Sequence, residues 1–192
     1  MLNRLALAAL FSSAALPTAR AAELDVYQTQ RPIKLGARVG VWSGDYSSPA
    51  IGGHIKIAAS ERVGLQGFAD HASRKLGGVV RHDNVVGFNA HTPVLIGSQS
   101  WFLSPTLGAC VDFRVDEPLS ERLPSNADIL FGVNAGAMGE FALGRGWSLE
   151  STATGYLYVG NGSGTSGWTA GASNKLQTSA VVQVLGSLNY QL

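Results

Sequence analysis

The chain has 192 residues, 45% of them hydrophobic, 24 of them glycine and only 14% charged, with 14 Lys and Arg set against 13 Asp and Glu. So balanced and weakly charged a composition excludes a disordered chain and an electrostatic nucleic-acid binder, and the single Cys110 excludes an internal disulfide and every multi-cysteine metal motif. No apolar run approaches the ~20 residues of a membrane-spanning helix.

Residues 1–21 read as a secretory signal. Arg4 supplies the positive start, an apolar run begins at Leu5 and continues to Leu16, Pro17 breaks it, and Ala19-Arg20-Ala21 has the small-x-small form of a cleavage site. The expected division is a signal peptide at 1–21, a periplasmic N-terminal segment at 22–33 and one domain at 34–192.

From Lys34 onward apolar and polar residues alternate, the period of a strand with one greasy and one wet face. Leu35, Ala37, Val39 and Val41 oppose Lys34 and Arg38; Ile55 and Ile57 oppose His54 and Lys56; Val63, Leu65 and Ala69 oppose Arg62, Gln66 and Asp70. Val86, Phe88 and Ala90 then face away from Gly87, Asn89 and His91, and Trp101, Leu103, Leu107, Ala109, Val111 and Phe113 away from Ser104, Thr106, Cys110, Asp112 and Arg114. Ile129, Phe131, Val133, Ala135 and Phe141 oppose Asp128, Asn134 and Glu140; Trp147, Leu149, Leu157 and Val159 oppose Glu150, Tyr156 and Tyr158. In the last segment Val182, Val184, Leu188, Tyr190 and Leu192 oppose Gln183, Ser187 and Asn189, with Val181 and Leu185 out of pattern. That makes eight strands. The connections alternate long and short: Ser43 to Gly53, Ser60-Glu61, Ala72 to Asp83, a turn around Ser98, Asp116 to Asn126, Gly144-Arg145-Gly146, and Gly160 to Lys175. The pattern predicts an all-β, eight-stranded, antiparallel up-and-down transmembrane β-barrel with short periplasmic turns and long extracellular loops.

A soluble periplasmic lipocalin-like barrel would alternate too, with its apolar face inward. The polar face here is Gly, Ser, Thr, Asn and Gln rather than Lys and Glu, and Trp101, Phe141, Trp147 and Tyr190 gather at the turn-proximal rim of the apolar face as a membrane girdle. The ending Leu188-Asn189-Tyr190-Gln191-Leu192 resembles the terminal targeting strand of outer-membrane β-barrels, although that family usually ends in phenylalanine. The mature chain is similar to the small barrels of the OmpA membrane-domain and OmpX type. The resemblance implies a Gram-negative outer membrane, with insertion by the barrel assembly machinery; fold alone carries no function.

Inward parity gives Arg38, Lys56, Arg62, Asp112, Glu140 and Glu150 to an interior polar network, with Glu140 and Glu150 facing each other and Arg38 as the cation between them. The connection from Ala72 to Asp83 is the richest in chemistry. Arg74, Lys75 and Arg81 are candidates for holding lipopolysaccharide phosphates. Asp70, His71 and Ser73 are the candidates for a hydrolytic triad, and His71-x-Ser73 resembles the His-x-Ser of outer-membrane lipid A deacylases, where the pair lies late in the chain before a catalytic glutamate that this sequence does not match. The four histidines lack metal-ligand spacing, so neither metal nor cofactor is expected. The sequence reading is a non-enzymatic surface barrel whose partners are outer-membrane lipid or lipopolysaccharide and an envelope or surface protein, with a lipid A-modifying enzyme as the alternative.

Overall fold

The computed structural model describes residues 33–44, 47–60, 63–76, 78–92, 94–95, 101–119, 125–161 and 176–192. The proposed signal peptide at 1–21 and nearly all of segment 22–33 lie outside them, as does Arg62. The strands are β1 (Ile33–Ser43), β2 (Ser47–Ala58), β3 (Gly64–Leu76), β4 (Val79–His91), the two-residue β5 (Val94–Leu95), β6 (Trp101–Pro118), β7 (Asn126–Gly144), β8 (Trp147–Asn161) and β9 (Leu176–Gln191). Both β4 and β5 pair with β6, so the nine segments make eight staves. Every pairing is antiparallel, each stave bonds its chain neighbours, and β1 bonds β9. The ring is closed. Leu192 N donates to the Ile33 carbonyl at 3.0 Å, just past the last paired residues.

The registers fix the stagger. Partners followed once around the ring run Ile33, Ile57, Leu65, Ala90, Leu107, Ala135, Gly155, Val182 and back to β1 at Ser43, ten residues beyond the start. A shear of ten over eight staves requires strongly tilted strands. All nine residues of that row carry outward parity, so the alternation stays in phase around the circuit.

The faces are disposed as the alternation predicts. Val39, Ile51, Phe88, Leu107, Phe131, Val133 and Val184 are exposed on the outer wall, whereas Arg38, Lys56, Asp70, Asp112, Asn134, Glu140, Glu150 and Gln183 are buried. A lipocalin-like soluble barrel has the reverse. The out-of-pattern Val181 and Leu185 point inward and join Trp42, Tyr156 and Tyr158 in a small lumenal apolar cluster.

Two expected long loops are strand instead. Ser43 pairs with Ser47, and β3 and β4 stay paired out to Leu76 and Val79 beside Gly78, whose φ is 102°. The segment Ser47–Gly53 hid its strand character because its outward positions are Ser47, Pro49 and Ile51 and its inward Gly52 must be bare: a Cβ there would collide with the Asp70 carboxylate and the Ala69 carbonyl. Residues 72–83 hid theirs because their charges, which read as loop, are the lumenal face of a ladder. On the other side of the loop end, β6 and β7 run to 18 and 19 residues, against the ~9–11 that cross a bilayer.

Candidate functional site: the filled lumen and the loop-end rim

The lumen of an eight-stave barrel is only wide enough for side chains, so the inward charges must satisfy one another. They do so in tiers. At the turn end, Glu140 and Glu150 are register partners across β7 and β8. The cations between them are Lys34 and Lys56, not Arg38. Lys34 Nζ donates to Glu140 Oε1 at 2.6 Å, Lys56 Nζ reaches Glu140 Oε2 at 3.3 Å and pairs closely with Glu150 Oε2. Ser148 Oγ donates to Glu140 at 2.5 Å and Asn189 Nδ2 to Glu150 at 2.9 Å. The sequence placed Lys34 on the inner face but left it out of the network; its position near the start of β1, level with the end of β7, is what the stagger adds.

Arg38 belongs to the next tier. Its guanidinium is bidentate to Asp70, at 2.6 and 2.5 Å, and lies 4.6 Å from the centroid of the Phe68 ring. Gln183 Nε2 donates to Asp70 at 3.0 Å, and Tyr156 Oη donates to Gln183 at 2.7 Å. Above these, Trp42, Tyr156 and Tyr158 stack with ring centroids 5.8–6.4 Å apart and plug the bore. Cys110 is buried in the same cluster.

At the loop end Arg114 bridges Asp83 at 2.8 Å and Asp112 at 3.2 Å, Arg74 reaches Asp83 at 3.4 Å, and Arg81 is bidentate to Asp116 at 2.6 Å. Arg74 and Arg81, expected on a lipopolysaccharide-binding loop, therefore sit on strands with inward parity and are engaged with carboxylates. Lys75 alone of the three is exposed on the outer wall.

The three residues of the alternative, enzymatic reading do not form a triad. Asp70 faces the lumen and is tied to Arg38, while His71 and Ser73 alternate to the outside. His71 Nδ1 is 2.9 Å from Asn84 Oδ1, where a triad would put a carboxylate. The rings of His71 and His82 stack at 5.7 Å, and His82 Nε2 is 3.7 Å from Glu117.

Trp101 pairs with Phe141 and Trp147 with Tyr190. Trp147 and Tyr190 are in ring contact at 4.8 Å, and all four are exposed on the outer wall at the turn end. With the stagger taken into account they stand at one level, together with Ile33, and Leu143 lies one outward position nearer the turn.

No family model matches the chain, and no curated protein matches it in sequence. Solved structures do match in shape. The N-terminal β-barrel domain of Pseudomonas aeruginosa OprF superposes with a TM-score of 0.54 at 10% identity, over 84% of this chain and all of that one. Neisserial surface protein A gives 0.54 at 11% identity, over 83% and 96%. A major outer membrane protein of Thermus thermophilus gives 0.56 at 13% identity, over 85% and 100%. At such identities the likeness is one of fold: this chain has the fold of the small eight-stranded outer-membrane β-barrels.

Proposed function

We propose that the chain is an outer-membrane barrel of a Gram-negative surface, exported by residues 1–21 and inserted by the barrel assembly machinery, with a shut lumen and its working contacts at the loop end. Its partners there are lipopolysaccharide and an envelope or surface protein. One observation carries this reading: an exposed apolar wall, banded at one level by Trp101, Phe141, Trp147 and Tyr190, encloses charges that neutralise one another. Such a wall is stable only against hydrocarbon, and ring closure leaves no open strand edge in it. A bore packed with ion pairs and a stack of three aromatic rings supports anchoring and display over solute passage.

Cell fractionation tests it. The protein should pellet with outer membranes and migrate faster in gels before boiling than after, the mark of a barrel that resists detergent. Recovery in the aqueous periplasmic extract would overturn the reading. Liposomes holding the purified protein should not swell in isotonic arabinose; swelling like that of a porin would overturn the shut lumen.

A further inference from the structure

The outer wall changes character at one place. On β3 and β4, above Ile51 and Val86 and below the turn at Gly78, the outward side chains are His71, Ser73 and Lys75 on one strand and Asn84, His82 and Val80 on the other, Val80 lying opposite Lys75. Register pairs His71 with Asn84 and Ser73 with His82, so these groups lie within a few ångströms across the ladder. The same row continues apolar: Asn84 pairs with Phe113 and Phe113 with Ile129, both exposed. Elsewhere on the described loop-end wall the outward polar groups are Ser43, Ser47, Glu117 and Thr178, none of them basic, so the basic groups belong to one sector.

Within that sector the donors are arranged. Asn84 Nδ2 donates to the Phe113 carbonyl at 3.3 Å, which fixes the amide and presents Oδ1 to His71. His71 Nδ1 must then carry its proton as donor, leaving Nε2 for another partner. His82 stacks on His71, and Glu117 Oε2 stands 3.7 Å from its Nε2, beyond hydrogen-bond distance. Lys75 is exposed and has no acidic partner among the described residues, whereas Arg74, Arg81 and Arg114 are each bound to carboxylates inside. A lysine, two histidines and a hydroxyl at the upper edge of a lipid-facing wall complement an anion held at headgroup depth.

We propose that the outward face of β3 and β4 at the loop end, formed by His71, Ser73, Lys75 and His82, binds the phosphorylated headgroup of a lipid in the surrounding leaflet. The proposal rests on the outer-membrane reading and deepens it by moving the lipid contact from the arginines, which the lumen consumes, to the side chains that face the bilayer. The lipid's acyl chains would run down the apolar wall over Ile51, Val86 and Phe88.

The test uses the full-length mature protein in phosphatidylcholine nanodiscs containing a minority of phosphatidic acid, with lipid retention read by native mass spectrometry after release. Wild type should retain phosphatidic acid over phosphatidylcholine. Lys75→Ala should reduce that retention about ten-fold, the scale of one charge-assisted hydrogen bond, and His71→Ala combined with His82→Ala should do the same. Thr178→Ala, on the outer wall of β9, should leave it unchanged. Heat-modifiable migration verifies that each variant is folded. Folded, inserted wild type with no headgroup preference, or variants equal to wild type, would overturn the site and leave the barrel reading standing. Displacement by millimolar inorganic phosphate would make this a free-anion site and overturn its assignment to lipid. A protein that never enters the bilayer would overturn both.

Discussion

Arg38 and Asp70 illustrate what a lumen one side chain wide demands of a charge. The pair is buried and bidentate, and Asp70 also accepts from Gln183. Removing one partner strands the other in low dielectric, so Asp70→Ala should cost about 3–5 kcal/mol, read as a lower urea midpoint in detergent micelles. Arg38→Met with Asp70→Leu should recover most of that loss, because an apolar pair of similar volume needs no partner. The glycines divide by face in the same way. At Gly40 an added methyl would collide with the Val184 carbonyl and crowd Leu185, whereas at Gly186, on the outside, it would meet nothing within 4 Å. Gly40→Ala should impair folding, and Gly186→Ala should be neutral or stabilise by about 0.4–1 kcal/mol through the unfolded chain. Comparing the two unfolding curves checks this. Which residues face inward was legible from parity alone; which of them pair was not. Glu140 and Glu150 were recognisable as opposite one another because a three-residue turn joins their strands. The cations that serve them come from β1 and β2, about a hundred residues away in sequence, and only the stagger determines that these are Lys34 and Lys56 and not Arg38.

The hairpin of β7 and β8 shows how local backbone sets the register of a whole element. Gly144, Arg145 and Gly146 all have positive φ, at 90°, 53° and 84°, which turns the chain in three residues and brings Trp147 beside Tyr190. A β-branched residue cannot hold that conformation cheaply. Gly146→Val should therefore slow or block assembly, seen as loss of the fast-migrating unboiled form, while Arg145→Gly should be accepted. This turn was legible, since two glycines flanking one residue between alternating runs have few other uses. The β3–β4 hairpin was not. Arg74, Lys75, Arg81 and Asp83 looked like a solvated loop because charge density is the usual sign of one. Here Arg74, Arg81 and Asp83 extend a polar lumen beyond the bilayer-spanning part of the strands, and periodicity in a stretch with few apolar residues leaves little for the eye to follow. The candidate triad failed for the same reason: once residues 70–73 are strand, Asp70 and His71 must point to opposite faces.

As a whole the molecule inverts the soluble plan, with ion pairs at the centre and hydrocarbon-like groups on the wall, and each half makes sense only with the other. The plug of Trp42, Tyr156 and Tyr158 sits between two charged tiers, so opening a path takes more than one deletion. Planar bilayers holding the wild-type protein should show no steady conductance. Trp42→Gly combined with Tyr158→Gly should admit small ions if the aromatic stack is what shuts the bore, a difference that single-channel recording resolves. Architecture was readable from the sequence because alternation, turn spacing and aromatic placement all express one geometry. The contacts at the loop end were not, because they depend on which strands the shear brings level.

The bonds between β1 and β9 join the two extremes of the domain, and no covalent link reinforces them. Until the last strand has arrived, every earlier arrangement is a curled ribbon with two raw margins, and lipid offers neither margin a substitute for its missing neighbour. The last strand is therefore as much a condition of a sealed wall as the seven staves before it, and a chain stopped short of β9 should leave β1 without its partner on that side.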